Sequence, residues 1–221
     1  MSALPPNPKT AILISGRGSN MVTLIEAARA PGYPARIALV LANRPGAGGL
    51  ARAEAAGIPT AAVDHRAFPD RPAFERALDA RLRQEGIDLL VLAGFMRVLT
   101  PCFVEAWAGR MLNIHPSLLP LFRGTHTHAQ ALAAGVRVHG CTVHFVVPEL
   151  DAGPIVAQAA VPVLPDDDED ALAARVLEQE HRLYPAALAL VAGGRAVLRD
   201  GRVAFAADLP RAEGALLVPG A

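Results

Sequence analysis

"TAILISGRGSN", residues 10–20, runs from an apolar stretch into a turn with glycines at 16 and 18 and ends on Ser19 and Asn20. A short continuous apolar run without polar alternation reads as a strand covered on both faces, as in parallel sheets. The glycines permit a tight turn and close approach of the backbone to another group. Ser19 and Asn20 are residue types that cap helices, and "MVTLIEAARA" (21–30) follows with apolar residues at helical spacing. Strand, glycine turn and helix form the opening unit of an α/β sheet.

The same alternation continues outward from this unit. "ARIALVLAN" (35–43), "TAAVD" (60–64) and "DLLVLAG" (88–94) are further strands. Between them "AGGLARAEAAG" (47–57) and "RPAFERALDARLRQEG" (71–86) read as amphipathic helices that stop at glycine. Right-handed crossovers then give a Rossmann-like, doubly wound, mostly parallel sheet. After residue 109 the pattern changes. "RMLNIHP" (110–116) is one more strand, "TVHFVV" (142–147) alternates in period two, and "GPIVAQAAVPV" (153–163) follows a turn, so antiparallel strands extend the sheet in the C-terminal half. Residues 166–194 are expected as a long helix with an acidic first turn, 196–205 as a hairpin around Asp200-Gly201, and 207–221 as a loosely attached tail. With no repeat and no low-complexity linker, residues 1–221 are expected as one domain, in two halves over about 10–108 and about 109–205.

Composition narrows the function classes. The 21 Lys and Arg balance the 21 Asp and Glu, so no global charge draws the chain to nucleic acid or an anionic membrane, and any phosphate must be held locally. Cys102 and Cys141 have no metal-ligand spacing and are too few for a disulfide framework, which points to a reducing cytoplasm. The N-terminus lacks the layout of a secretion signal and no apolar run is long enough to span a bilayer.

Four features carry chemistry. "SGRGSN" can aim helix N–H groups at a single phosphate, or it is a plain strand-to-helix turn. Met21 stands where the third glycine of a dinucleotide fingerprint would fall, and the P-loop lysine is absent. Five of the seven histidines lie between residues 115 and 144, but neither a cysteine pair nor an H-E-x-x-H frame accompanies them, so metal binding is set aside. In "MLNIHPSLLP" (111–120), Asn113 and His115 are two apart on a strand and share a face, and Pro116 ends that strand at its carboxyl end, where open α/β sheets bind ligands. Such a pair either satisfies itself by hydrogen bonds or steadies an oxyanion while moving a proton. "ELDAGP" (149–154) places Asp151 in a turn, where it bonds its own backbone or faces His115.

Taken in order, "ISGRGSN", "LAGFMRVLT", "MLNIHPSLLP", "HTHAQAL", "HGCTVHFV", "ELDAGPI" and "RVLEQEHRLYP" resemble the phosphoribosylglycinamide formyltransferase family over about residues 10–200. The resemblance implies transfer of a formyl group from 10-formyltetrahydrofolate, as co-substrate, to the amino group of N1-(5-phosphoribosyl)glycinamide in purine synthesis, without a metal. It assigns Asn113, His115 and Asp151 to catalysis, and Gly18, Ser19 and Asn20 to the substrate phosphate. Glu180, closing segment 177–180, falls where the ribose hydroxyls are held. Met96, Arg97, Val98 and Leu99 fall on the segment that lines the folate site, Asn113 contributes there too, and Arg71 falls near the folate tail. The implied protein is a cytoplasmic monomer or homodimer acting on small molecules, with neither nucleic acid nor membrane as partner. Pro148, Ala152, Arg123 and Thr125 depart from the family's usual residues and bear on folate affinity and loop motion. The competing readings are a formyltetrahydrofolate hydrolase, another folate-dependent formyltransferase such as the methionyl-tRNA enzyme, and a catalytically silent nucleotide-binding module.

Overall fold

The computed structural model describes residues 4–209. Its main sheet has seven strands in the order β3-β2-β1-β4-β5-β6-β7. The strands are β1 (Lys9–Ile14), β2 (Arg36–Ala42), β3 (Thr60–Ala62), β4 (Leu89–Leu92), β5 (Met111–His115), β6 (Val138–Phe145) and β7 (Ile155–Pro162). Pairing is parallel from β3 to β5 and antiparallel for β5–β6 and β6–β7. The fold class expected from the sequence is therefore the one observed. Because β1 leads outward to β2 on one side and β4 pairs on its other side, the strand order reverses between β1 and β4, and a crevice opens beyond their carboxyl ends.

Period two along the strands divides the core. Ile12, Ile14, Val40, Val91, Leu112 and Ile114 pack on one face against helix α1 (Ser19–Ala27) and helix α6 (Glu169–Ala192). Ala11, Leu13, Leu39, Leu41, Leu90 and Met111 pack on the other against α3 (Arg71–Gln84) and Trp107. Helix α2 (Gly48–Ala55) completes the first crossover pair, with Ala53 in the first cluster. Tyr184 of α6 is wholly buried and its hydroxyl lies 2.9 Å from the Leu92 carbonyl and 3.2 Å from that of Leu112. That contact ties α6 to the two strands, β4 and β5, whose carboxyl ends carry the site.

Several local expectations change. Ser19 and Asn20 do not cap α1. Gly18 takes the N-cap position at φ 69°, a conformation that suits glycine, and the two polar residues fall inside the first turn. The long helix begins at Glu169, capped by the Asp168 carboxylate on Ala171 N–H at 2.8 Å, rather than at 166. Strand β6 starts four residues before the expected 142 and ends at Phe145. Two short helices, α4 (Pro101–Ala106) and α5 (Thr127–Ala133), and a 3-10 turn at His65–Ala67 had no counterpart in the sequence reading. The hairpin forms as β8 (Ala196–Arg199) and β9 (Arg202–Phe205), with Asp200 and Gly201 both at positive φ. Most of the expected tail, from residue 210 on, lies outside the described residues. Among the described residues no helix is long and apolar enough to cross a membrane.

Candidate active site

A cavity of about 730 Å3 opens beyond the carboxyl ends of β4 and β5 and reaches Asn20 at the start of α1. That volume suits a small-molecule ligand, for which roughly 300–1,000 Å3 is usual. Its walls come from the segment 94–99 after β4, from Asn113–Pro116 on β5, from 124–128 around the start of α5, and from the turn 146–151 between β6 and β7.

Asn113 and His115 sit on one face of β5, as period two requires, opposite His144 and Thr142 of β6. The Asn113 Nδ2 lies 3.2 Å from His144 Nε2. His144 Nδ1 lies 2.9 Å from the Phe145 carbonyl, so Nδ1 carries the hydrogen and Nε2 is the acceptor for Asn113. Burial holds His144 below the ordinary histidine range, which keeps the ring neutral and preserves that acceptor. The Asn113 amide is thereby oriented, with its second N–H left for another partner.

His115 is buried, and its two nitrogens meet two acceptors. Nε2 lies 2.9 Å from the Phe122 carbonyl and Nδ1 lies 3.4 Å from Asp151 Oδ2. A ring protonated on both nitrogens fits that pair of oxygens. The same Asp151 oxygen accepts from Gly124 N–H at 2.9 Å, while Oδ1 is 3.8 Å from His144 Nε2. Asp151 has φ 49°, a left-handed conformation that aspartate tolerates better than most residues. The turn is closed by Phe145 N–H on the Pro154 carbonyl at 2.9 Å. Arg123 bonds Glu149 at 2.6 Å and bridges this turn to the 122–125 loop, which gives that unusual arginine a partner. Pro148 also lines the cavity, whereas Ala152 is not part of its wall.

At the other end of the cavity Asn20 Nδ2 donates to Glu180 Oε2 at 2.6 Å, and both residues are buried. Burial raises the Glu180 carboxyl above its ordinary range, and the Asn20 bond opposes that rise. Among the described residues the Asn20 Oδ1 has no hydrogen-bond partner, and neither has the buried Thr127 Oγ1 in the same cavity wall. Gly18 and Ser19 begin α1 behind Asn20 without lining the cavity themselves. Met96, Arg97, Val98 and Leu99 line it together, Met96 and Val98 largely exposed. Arg71 lies at the exposed start of α3 and is not part of the wall.

Sequence reasoning did not single out His144, Gly124, the Phe122 carbonyl or Thr127. His144 carried a signal. Period-two alternation in a strand antiparallel to β5 sets it on the Asn113 face. Of the other histidines, His128 and His139 pair at 3.2 Å. Among the described residues no group of three or more His, Cys, Asp or Glu side chains is placed to hold a metal ion.

The sequence matches the family described as Formyl transferase over residues 8–188. The phosphoribosylglycinamide formyltransferase of Escherichia coli (strain K12) is 47% identical over 189 residues, which cover 86% of this chain and 89% of that protein. The chain belongs to the phosphoribosylglycinamide formyltransferase family. The crystal structure of glycinamide ribonucleotide transformylase 1 from Symbiobacterium toebii superposes with a TM-score of 0.86 at 46% identity, over 90% of this chain and 93% of that one. The trifunctional purine biosynthetic protein adenosine-3 of Bos taurus is 47% identical over 208 residues, 94% of this chain but 21% of that protein. This formyltransferase chain thus spans about a fifth of the length of that trifunctional relative.

Proposed function

We propose that the chain transfers the formyl group of 10-formyltetrahydrofolate to the amino group of N1-(5-phosphoribosyl)glycinamide in de novo purine synthesis, in the cytoplasm and as a single formyltransferase domain. The observation that carries this reading is the approach of His115 Nδ1 to Asp151 Oδ2 at 3.4 Å beside the Asn113 amide, all in one cavity.

The substrate amine attacks the formyl carbon. A carbon–nitrogen bond forms and the carbonyl electron pair moves onto oxygen. The free N–H of Asn113 and protonated His115 are the donors for that oxygen. Collapse restores the carbonyl and breaks the bond to the folate nitrogen, which takes its proton from His115. The attacking nitrogen loses a proton through water to Asp151, which returns it to the ring. Because Nε2 is held by the Phe122 carbonyl, Nδ1 is the nitrogen that exchanges this proton, and 3.4 Å is too long for a tight bond to Asp151. This scheme needs no metal.

Gly18, Ser19 and Asn20 are assigned to the substrate phosphate and Glu180 to the ribose hydroxyls; the unpartnered Asn20 Oδ1 beside Glu180 is an acceptor and supports only the hydroxyl assignment. Met96 to Leu99 and Asn113 are assigned to the folate, with Arg71 reaching its tail from outside the cavity. The test is incubation of purified protein with both substrates. Folate release that requires the ribonucleotide is expected. Release without it would favour the hydrolase, and no release would leave the silent module.

A further inference from the structure

The folate-facing segment has no regular structure between β4 and α4, yet its backbone is fixed at both ends by two side chains outside the catalytic group. At its start, Ser15 is 7% exposed; its N–H donates to the Gly94 carbonyl at 3.1 Å and its hydroxyl accepts from Met96 N–H at 2.8 Å. At its end, Glu75 of α3 is 4% exposed; its carboxylate accepts from Thr100 N–H at 2.8 Å and also from the Thr100 hydroxyl. Neither contact is needed to complete a strand or a helix ladder. Between these fixed points the N–H groups of Arg97, Val98 and Leu99 donate to no main-chain oxygen among the described residues. A buried carboxylate on a helix face is costly unless its partners use it, and here both partners belong to the last residue of the cavity wall's loop.

We propose that Ser15 and Glu75 are positioning residues for the formyl donor, holding the Met96–Leu99 backbone in register for the folate and, through Ser15, at a set distance from the ribonucleotide turn that follows it. This rests on the folate assignment above. The ribonucleotide turn does not depend on the same contacts, because Gly49 N–H bonds the Gly16 carbonyl at 3.0 Å and Gly18 supplies the left-handed step into α1. Loss of either fixed point should therefore weaken one substrate selectively.

The experiment compares Ser15→Ala, Glu75→Ala and Glu75→Gln with the wild type, by KM for each substrate, kcat, and calorimetric Kd for tetrahydrofolate. Ser15→Ala should raise the folate KM and Kd about five- to tenfold, the effect of one hydrogen bond. Glu75→Ala should raise them about tenfold or more, since charge-assisted bonds are stronger. Glu75→Gln, whose amide oxygen still accepts from Thr100 N–H, should recover most of the loss. The ribonucleotide KM should stay within about twofold throughout. A parallel rise in both KM values, or folate affinity unchanged in Ser15→Ala, overturns the proposal even if Glu75→Ala fails to fold. Wild-type protein that binds no tetrahydrofolate overturns the underlying folate assignment as well.

Discussion

Replacing Asn113 by alanine isolates the proposed oxyanion donor with little structural cost. The main-chain pairing of Asn113 with Leu92 on one side and His144 on the other does not involve its side chain. What the fold loses is the 3.2 Å contact between Asn113 Nδ2 and His144 Nε2. One such bond contributes about 1 kcal/mol net, and His144 Nε2 then faces a cavity that can hydrate it. The reaction loses more. One oxyanion donor removed costs about 10²–10³ in kcat, or about 2.7–4 kcal/mol. Since that charge exists only in the transition state, KM for the ribonucleotide should move by no more than about threefold, while the folate KM rises further only by the lost Asn113 contact. Asn113→Asp should be worse than alanine, because it sets a carboxylate where negative charge develops. The assay is initial-rate folate release at saturating concentrations of both substrates, with a thermal melt on the same samples. A kcat loss under about tenfold, in protein whose melting matches the wild type, would remove Asn113 from this role.

Three further perturbations have defined outcomes. Burial and the neighbouring His128 bring the His139 pKa down from its ordinary 6.5 to about 4. The unfolded chain therefore takes up a proton that the folded chain does not as pH falls through that window, so stability is present above 6.5 and declines toward 4. Urea titrations at several pH values should show the decline in the wild type and a shallower one in His139→Leu; parallel slopes would contradict it. Gly153→Ala should destabilise by about 3 kcal/mol, an overpacking cost, since its Cβ would fall 1.7 Å from the Phe145 carbonyl oxygen. Denaturant unfolding measures this, and a shift under 1 kcal/mol would contradict the close approach. Arg123→Ala removes an exposed pair with Glu149 and should change stability by less than about 1 kcal/mol, with a difference that shrinks in high salt.

The sheet was legible because its central strands are covered on both faces. Ala11 to Ile14 and Leu89 to Val91 are fully buried, so selection for burial leaves uninterrupted apolar runs. The missed helices α4 and α5 have six and seven residues, too short for helical periodicity to accumulate. Their starts are set by Pro101 and by His126 at φ 57°, features of single residues rather than of a pattern. The misread cap has a long-range cause. Asn20 reads as a helix-capping residue, but its amide is engaged by Glu180, 160 positions away, and the left-handed step that starts the helix falls to Gly18. Ser15 and Glu75 were unreadable for the same reason, since a serine in a turn and a glutamate on an amphipathic helix look like solvent-facing polarity until Met96 and Thr100 are placed beside them.

The proposed catalytic pair and its carboxylate differ in how far local rules reach. Asn113 and His115 share a face by strand geometry alone, and Pro116 fixes which end of the strand they occupy. Asp151 is brought to His115 by a chain of non-local conditions. Strand β6 must pair antiparallel with β5, and the chain must then return through a turn tight enough to bring Pro154 back to Phe145. That return is possible because residue 153 has no Cβ, and it leaves Asp151 in the left-handed conformation from which Oδ2 reaches both Gly124 N–H and His115. The glycine two residues after the aspartate is thus the local mark of a long-range contact. In "ELDAGP" it distinguishes a carboxylate carried to the strand end from one that merely caps its own turn.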